Sequence, residues 1–175
     1  PFVMPKAEIP FSRSNVIFDT TIGWRFVNPK MEDAHGIDSM PQTADNVAEE
    51  YGISREDQDA FAVRSHARWA AAHAAGKFAD EIVPVSVPQR RAASIVVDTD
   101  EHPRPTTTVE SLGKLRGING ADLSVTAGNA SGVNDGAAAV LVANEATAAK
   151  NGLIPMVRIV GMAAAGVAPR AMGIG

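Results

Sequence analysis

Thr126-Ala127-Gly128-Asn129-Ala130-Ser131-Gly132-Val133-Asn134-Asp135-Gly136-Ala137-Ala138-Ala139-Val140-Leu141-Val142 reads as a small-residue loop, an Asn-Asp-Gly turn and an apolar run. Gly128, Ala130, Ser131 and Gly132 let another group approach the backbone closely. The turn residues Asn134, Asp135 and Gly136 tolerate the tight geometry that follows. Residues 137–142 then have the length and composition of a buried strand. A loop at the mouth of a sheet is a place to seat a ligand, although loop composition alone favours plain turn chemistry. Two phosphate-binding loops are excluded. No Gly-x-x-x-x-Gly-Lys-Ser/Thr string is present, and these glycines precede a strand where a dinucleotide loop would open a helix.

Downstream, residues 145–151 read as a helix ended by Gly152, and residues 157–162 as a second buried strand. Strand, helix and strand together begin a layered α/β unit. Upstream, residues 122–126 lead into the loop as a strand, preceded by a short helix over 109–115. The two clearest helices are expected at 41–51 and 54–75, the second capped by Ser54 in a capping box with Asp57 and terminated by Gly76. On the second helix Phe61, Ser65, Trp69 and Ala72 share a stripe that reads as its core face, with Arg55, Glu56, Asp59 and Arg64 pointing elsewhere. His66 and His73 have no matching carboxylate or cysteine and read as solvated residues, not metal ligands. Residues 82–87 and 94–97 are expected as strands around the basic turn Gln89-Arg90-Arg91. Asp98-Thr99-Asp100-Glu101 lacks calcium-loop spacing and reads as a solvated acidic turn. Residues 1–28, with Pro1, Pro5 and Pro10, read as extended segments joined by turns.

Composition sets the class. The 175 residues are 45% hydrophobic and 21% charged, enough for one ordinary core or one domain and part of another. A formal net charge of -4 argues against a nucleic-acid surface, and no apolar run is long enough to suggest a membrane span. The chain has no cysteine, which excludes disulfides and thiolate metal sites; with no signal peptide before the first motif, a cytoplasmic origin is expected. Both ends read as cut, since the chain starts at Pro1 and finishes on Ala171-Met172-Gly173-Ile174-Gly175 without a polar tail.

As a string, Gly128-Asn129-Ala130-Ser131-Gly132-Val133-Asn134-Asp135-Gly136-Ala137-Ala138-Ala139 resembles the pantetheine-side loop of the thiolases, the acyl-CoA C-acyltransferases. Other segments resemble the branch acting on 3-oxoadipyl-CoA. They are Phe2-Val3-Met4-Pro5-Lys6, Asp19-Thr20-Thr21-Ile22-Gly23-Trp24-Arg25-Phe26-Val27-Asn28-Pro29 and Met40-Pro41-Gln42-Thr43-Ala44-Asp45-Asn46-Val47-Ala48. Ser54-Arg55-Glu56-Asp57-Gln58-Asp59-Ala60-Phe61-Ala62, Phe78-Ala79-Asp80-Glu81-Ile82-Val83-Pro84 and Asp100-Glu101 with Arg104 add to them.

The resemblance implies an α/β fold fragment: the thiolase loop domain over 1–133, plus the first strand-helix-strand of the C-terminal core half over 134–175. It also implies a tetramerisation excursion near 9–28, hence a homo-oligomer, dimer or tetramer. Coenzyme A and acyl-CoA enter as substrates, with no permanently bound cofactor, no metal, and neither nucleic acid nor membrane as partner. Thiolases work through a nucleophilic cysteine, an activating histidine, a second cysteine and an oxyanion hole. None of these can be placed between residues 1 and 175, so no catalytic residue is assigned. The resemblance assigns CoA contacts instead: Arg104 along the adenine and phosphate end, Ser111 near the adenine, Ser131 and the Ala127 backbone beside the pantetheine arm, and Met40 and Met31 near the acyl and pantetheine path. Two departures touch this set. Ser39 stands where some biosynthetic thiolases have histidine, and Gly117-Ile118-Asn119 replaces their Pro-Ala-Phe in the adenine pocket wall. The implied reaction is cleavage of 3-oxoadipyl-CoA, or a similar 3-oxoacyl-CoA, by CoA to acetyl-CoA and a shortened acyl-CoA. The alternative is a non-catalytic CoA-binding and oligomerising module.

Overall fold

The computed structural model describes residues 1–7, 9–21 and 23–175. Ile22, inside the expected 9–28 excursion, lies outside the described residues. The chain divides into two compact units, one of Pro1–Ala130 with Val167–Gly175 and one of Ser131–Gly166.

The first unit opens with the antiparallel pair β1 (Phe2–Val3) and β2 (Phe18–Asp19), where Phe2 faces Asp19 and Val3 faces Phe18. Among the described residues no helix precedes Pro29, as the proline spacing predicts. Helix α1 (Pro29–His35) is not expected from hydrophobic periodicity, yet its start is encoded. The Asn28 side chain accepts from the Lys30 N–H, and Pro29 occupies the first turn, where its missing N–H costs nothing. Helix α2 (Met40–Tyr51) begins with a complete capping box: Ser39 Oγ accepts from Gln42 N–H, and Gln42 Oε1 accepts from Ser39 N–H. Ser39 therefore has a helix-starting role.

Helix α3 (Arg55–Ala74) follows after Gly52, which sits in the left-handed region. Its cap is half of the expected box. Ser54 Oγ accepts from Asp57 N–H, but the Asp57 carboxylate accepts the Ser54 hydroxyl and not the Ser54 N–H. Gly76, at φ +68, closes the helix as expected: its N–H bonds to His73 O, and that of Lys77 to Ala72 O. Hairpin β3 (Val85–Val87) and β4 (Ile95–Val97) is shorter than expected at its start, because Pro84 has no N–H to give the ladder. Helix α4 (Val109–Gly113) packs on α3, and the 3₁₀ segment Pro169–Ile174 packs on α2, where Asn46 Nδ2 donates to Arg170 O at 3.0 Å.

The core of this unit is small, and half of it is polar. Ala48, Ala62, Leu112, Val125 and Ala171 are buried beside Thr43, Asp45, Asp59 and Thr126. The aromatic stripe of α3 is not its buried face. Phe61 is 63% exposed and lies under the Arg64 guanidinium, 4.9 Å from ring to cation. Trp69 is half-buried between His73 and Phe78.

Residues 122–126 form no strand. The N–H groups of Ser124 and Val125 bond to the Asp45 carboxylate, so they are not available to a neighbouring strand. In the second unit helix α5 (Glu145–Lys150) forms as expected, capped by Asn144. The strands expected at 137–142 and 157–162 do not form. Among the described residues the only sheets are the two hairpins, and an apolar stretch becomes a strand only when a second strand takes its N–H and C=O groups. Val140, Leu141, Val142, Met156, Val157, Val160 and Met162 are all exposed, Val140 by 86%. The expected strand-helix-strand is therefore present as a sequence pattern with only its helix formed.

Candidate functional site

Positions 55, 59, 62 and 66 are spaced by four, three and four residues, so their side chains form one stripe along α3. This stripe, polar except for Ala62, is the face that holds the loops. Asp59 is 2% exposed, and its two oxygens serve different segments. Oδ2 accepts from Arg55 Nε at 2.8 Å within the helix, and Oδ1 accepts from Asn129 Nδ2 at 3.0 Å. Arg55 Nη2 continues to the carbonyl oxygens of Leu112 and Leu115, 2.6 and 3.1 Å away, and so gathers the end of α4. At the far end of the stripe His66 Nδ1 accepts the Arg104 N–H at 3.1 Å. His66 is thus engaged by the loop before α4, and the expectation of a solvated histidine is corrected.

The stretch 117–130 is fixed from α2 as well. Asp45 Oδ1 accepts from Ser124 N–H, Ser124 Oγ and Val125 N–H at 3.0, 3.2 and 3.0 Å, and Oδ2 accepts from Asn119 Nδ2 at 2.7 Å. Asn119 therefore anchors the segment that departs from the family pattern. Gly117 lies so close to the Gly120 and Leu123 carbonyl oxygens that no side chain would fit there. Asn129 then closes the loop on itself: Oδ1 accepts from Thr126 N–H at 2.7 Å, while Nδ2 also reaches Ser124 O at 3.0 Å. Thr126 is completely buried, and its carbonyl accepts from the N–H groups of Asn129 and Ala130.

Gly128 faces α4. A Cβ there would lie 2.5 Å from Leu112 Cδ2 and 2.6 Å from Leu115 Cδ1, so the small residue is required by close approach. Gly128→Ala must push two leucine side chains aside, and a destabilisation of about 1 to 3 kcal/mol is expected, as for other overpacked sites. Chemical denaturation of the full-length parent protein measures it; an unchanged midpoint would show that the leucines move freely.

The structure gathers some of the expected ligand residues and leaves others apart. Ala127 is exposed at the turn beside α4. Ser111 is in the first turn of α4, where its hydroxyl accepts from Thr108 N–H and donates to Thr108 O at 2.7 Å, completing a second capping box. Its neighbour Glu110 is held below the ordinary carboxylate range, first by its own backbone N–H and then by the Thr108 hydroxyl. Arg104 is exposed, with its backbone pinned to α3 and its guanidinium free of any protein hydrogen bond among the described residues. Ser111 thus lies within α4, Arg104 in the loop before it, and Ala127 next to Gly128, which faces it. Met31 on α1 and Met40 at the start of α2 are exposed, with nothing joining them to that group. Ser131 is exposed and begins the second unit. Among the described residues no cluster of histidine, aspartate or glutamate could hold a metal ion, and no helix is long and apolar enough to cross a membrane.

A family sequence model described as "Thiolase, N-terminal domain" matches residues 11–146. The chain belongs to the thiolase family. All 175 residues align with a beta-ketoadipyl-CoA thiolase of Pseudomonas putida at 59% identity, covering 44% of that protein. Among solved structures, a Bacillus anthracis acetyl-CoA acetyltransferase superposes over the whole chain with a TM-score of 0.78 and 40% identity, covering 43% of its length. A human mitochondrial 3-ketoacyl-CoA thiolase in complex with CoA gives 0.78 and 39%, again over the whole chain and 42% of its own. This thiolase chain thus spans less than half the length of the relatives it matches.

What the sequence reading missed is the support beneath the site. Arg55, Asp59, His66 and Asn129 hold the segments that carry Arg104, Ser111 and Ala127. The available signal was the four-three-four spacing of polar and small residues on α3.

Proposed function

We propose that this chain is the CoA-binding central segment of an acyl-CoA thiolase that cleaves 3-oxoadipyl-CoA, or a related 3-oxoacyl-CoA, with free CoA to acetyl-CoA and a shortened acyl-CoA. The observation that carries this reading is 59% identity, over all 175 residues of this chain and 44% of the relative, to a beta-ketoadipyl-CoA thiolase. It is supported by a free guanidinium at Arg104 and a tightly built small-residue turn at 126–130, both on segments bonded to α3. A guanidinium offers paired N–H donors to a phosphate and a flat face to adenine, while small residues let the pantetheine arm run against the backbone. Residues 1–133 serve as the loop region, with the 9–28 excursion pairing dimers into tetramers. Residues 137–162 supply a strand-helix-strand pattern whose sheet is completed outside these 175 residues.

Arg104→Ala in the full-length parent is expected to raise the KM for CoA substrates and to leave kcat nearly unchanged, because the contact is far from the reacting carbon. Loss of one charge-assisted hydrogen bond is worth about 1.5 to 3 kcal/mol, roughly tenfold to a hundredfold in KM. Steady-state kinetics with varied CoA measure it, and an unaltered KM returns Arg104 to an ordinary surface arginine. A second reading, a CoA-binding and oligomerising module without catalysis of its own, is favoured by the absence of any cysteine from the chain.

A further inference from the structure

From the arrangement on α3 we infer that Asp59 is a positioning residue for CoA, setting the gap between α4 and the 126–130 turn through Arg55 on one side and Asn129 on the other. The inference rests on the CoA reading above. Each carboxylate oxygen has a separate task. Oδ2 orients the Arg55 fork whose other end holds the carbonyls that finish α4, and Oδ1 orients the Asn129 amide that closes the turn. Moving either partner changes the distance between the segment bearing Ser111 and the one bearing Ala127. Gly128 leaves less than a methyl group's room beside Leu112 and Leu115 in that gap, so a shift there must be taken up by the leucine side chains. Asp59 is buried and its side chain has no route to a ligand except through these two partners, which separates it from the contacting residues.

The donors and acceptors are specific enough to be exchanged. Asn129→Asp sets a second carboxylate against Asp59 and removes the donor to Ser124 O, while the acceptor for Thr126 N–H remains. Adding Asp59→Asn restores the pattern with the roles reversed: the Asn oxygen accepts from Arg55 Nε, and its NH₂ donates to the new carboxylate at 129. The bond to Ser124 O stays lost, with a carboxylate oxygen now facing that carbonyl, and Arg55 keeps a hydrogen bond but to a neutral acceptor. Asp59→Asn alone keeps shape and volume but must give up one of its two partners, because an amide has one acceptor oxygen.

The experiment uses the full-length parent, with KM for CoA, kcat and the thermal midpoint measured on each variant. Asn129→Asp is expected to raise KM for CoA by about tenfold, the equivalent of about 1.4 kcal/mol of lost binding. In the exchanged pair KM should return most of the way to the parent value, with kcat steady throughout. If Asn129→Asp does not fold, the isosteric Asp59→Asn carries the same question, with a smaller rise in KM expected. A lowered thermal midpoint with unchanged KM in these variants makes Asp59 a merely structural residue and overturns the inference, as does an exchanged pair no better than Asn129→Asp. Arg104→Ala keeps the two readings apart. If it raises KM while the Asp59 and Asn129 variants do not, only the positioning role fails; if none of them moves KM, the CoA reading fails as well.

Discussion

The 175-residue chain, assayed alone with 3-oxoadipyl-CoA and free CoA, is expected to give no thiolysis above a no-protein blank. The proposed reaction passes the acyl group to a protein thiol, and the chain has no cysteine. Thiolate is the side chain that makes this transfer feasible near neutral pH, since it is partly ionised there and strongly nucleophilic. A serine hydroxyl needs an adjacent base, and the hydroxyl of Ser111 is held within its own helix cap. The full-length parent is the positive control, and its effect should be all-or-none. Turnover by the chain alone, with contaminating enzyme excluded by its mass, would sink the thiol-dependent reading. Turnover absent from the parent too would favour the non-catalytic module.

Asp45→Ala carries the largest expected cost in stability. The carboxylate is buried and accepts four hydrogen bonds from Asn119, Ser124 and Val125. Truncation leaves the Ser124 and Val125 N–H groups without acceptors, while the exposed Asn119 amide and the Ser124 hydroxyl can turn to water, and each buried unsatisfied donor costs about 1 to 3 kcal/mol. Relaxation and entering water offset part of that, so a loss on the order of 3 kcal/mol is expected. Asp45→Asn keeps one acceptor oxygen for the backbone pair, and Asn119 can turn its amide to meet the new NH₂, so this change should cost only about 1 kcal/mol. Urea denaturation of the full-length parent measures both. Equal losses for the two variants would mean that charge, and not the count of acceptors, holds the 117–130 stretch.

The helices were largely legible from the sequence, because their signals are local. Ser54 and Gly76 mark the ends of α3, and Glu145 with Gly152 bracket α5, through side chains and backbone conformations within a few residues of each other. The strands at 137–142 and 157–162 were not, since an apolar run declares that it needs cover but a ladder needs a partner. The buried face of α3 was misread for a related reason. Hydrophobicity points to Phe61 and Trp69, whereas the face that packs carries Arg55, Asp59, Ala62 and His66, whose polar groups find partners more than thirty residues away. The CoA-contact set came from resemblance alone. Ser111 lies in α4 and Arg104 and Ala127 on segments bonded to α3, while Met31 and Met40 lie on α1 and α2 and Ser131 begins the second unit.

The long reach of Asp45 and Asp59 has a consequence for the order in which the molecule assembles. Apart from the Arg55 bond within α3, their bonds span 70 to 80 residues of chain, whereas the caps of α2 and α3 span three. Closing so long a loop costs entropy before any contact repays it, so helices come early and the 126–130 turn late. A ribosome must release the whole of that interval before either carboxylate meets its distant partner. Until then both buried acids lie open to water, and the turn proposed to receive CoA has no fixed form.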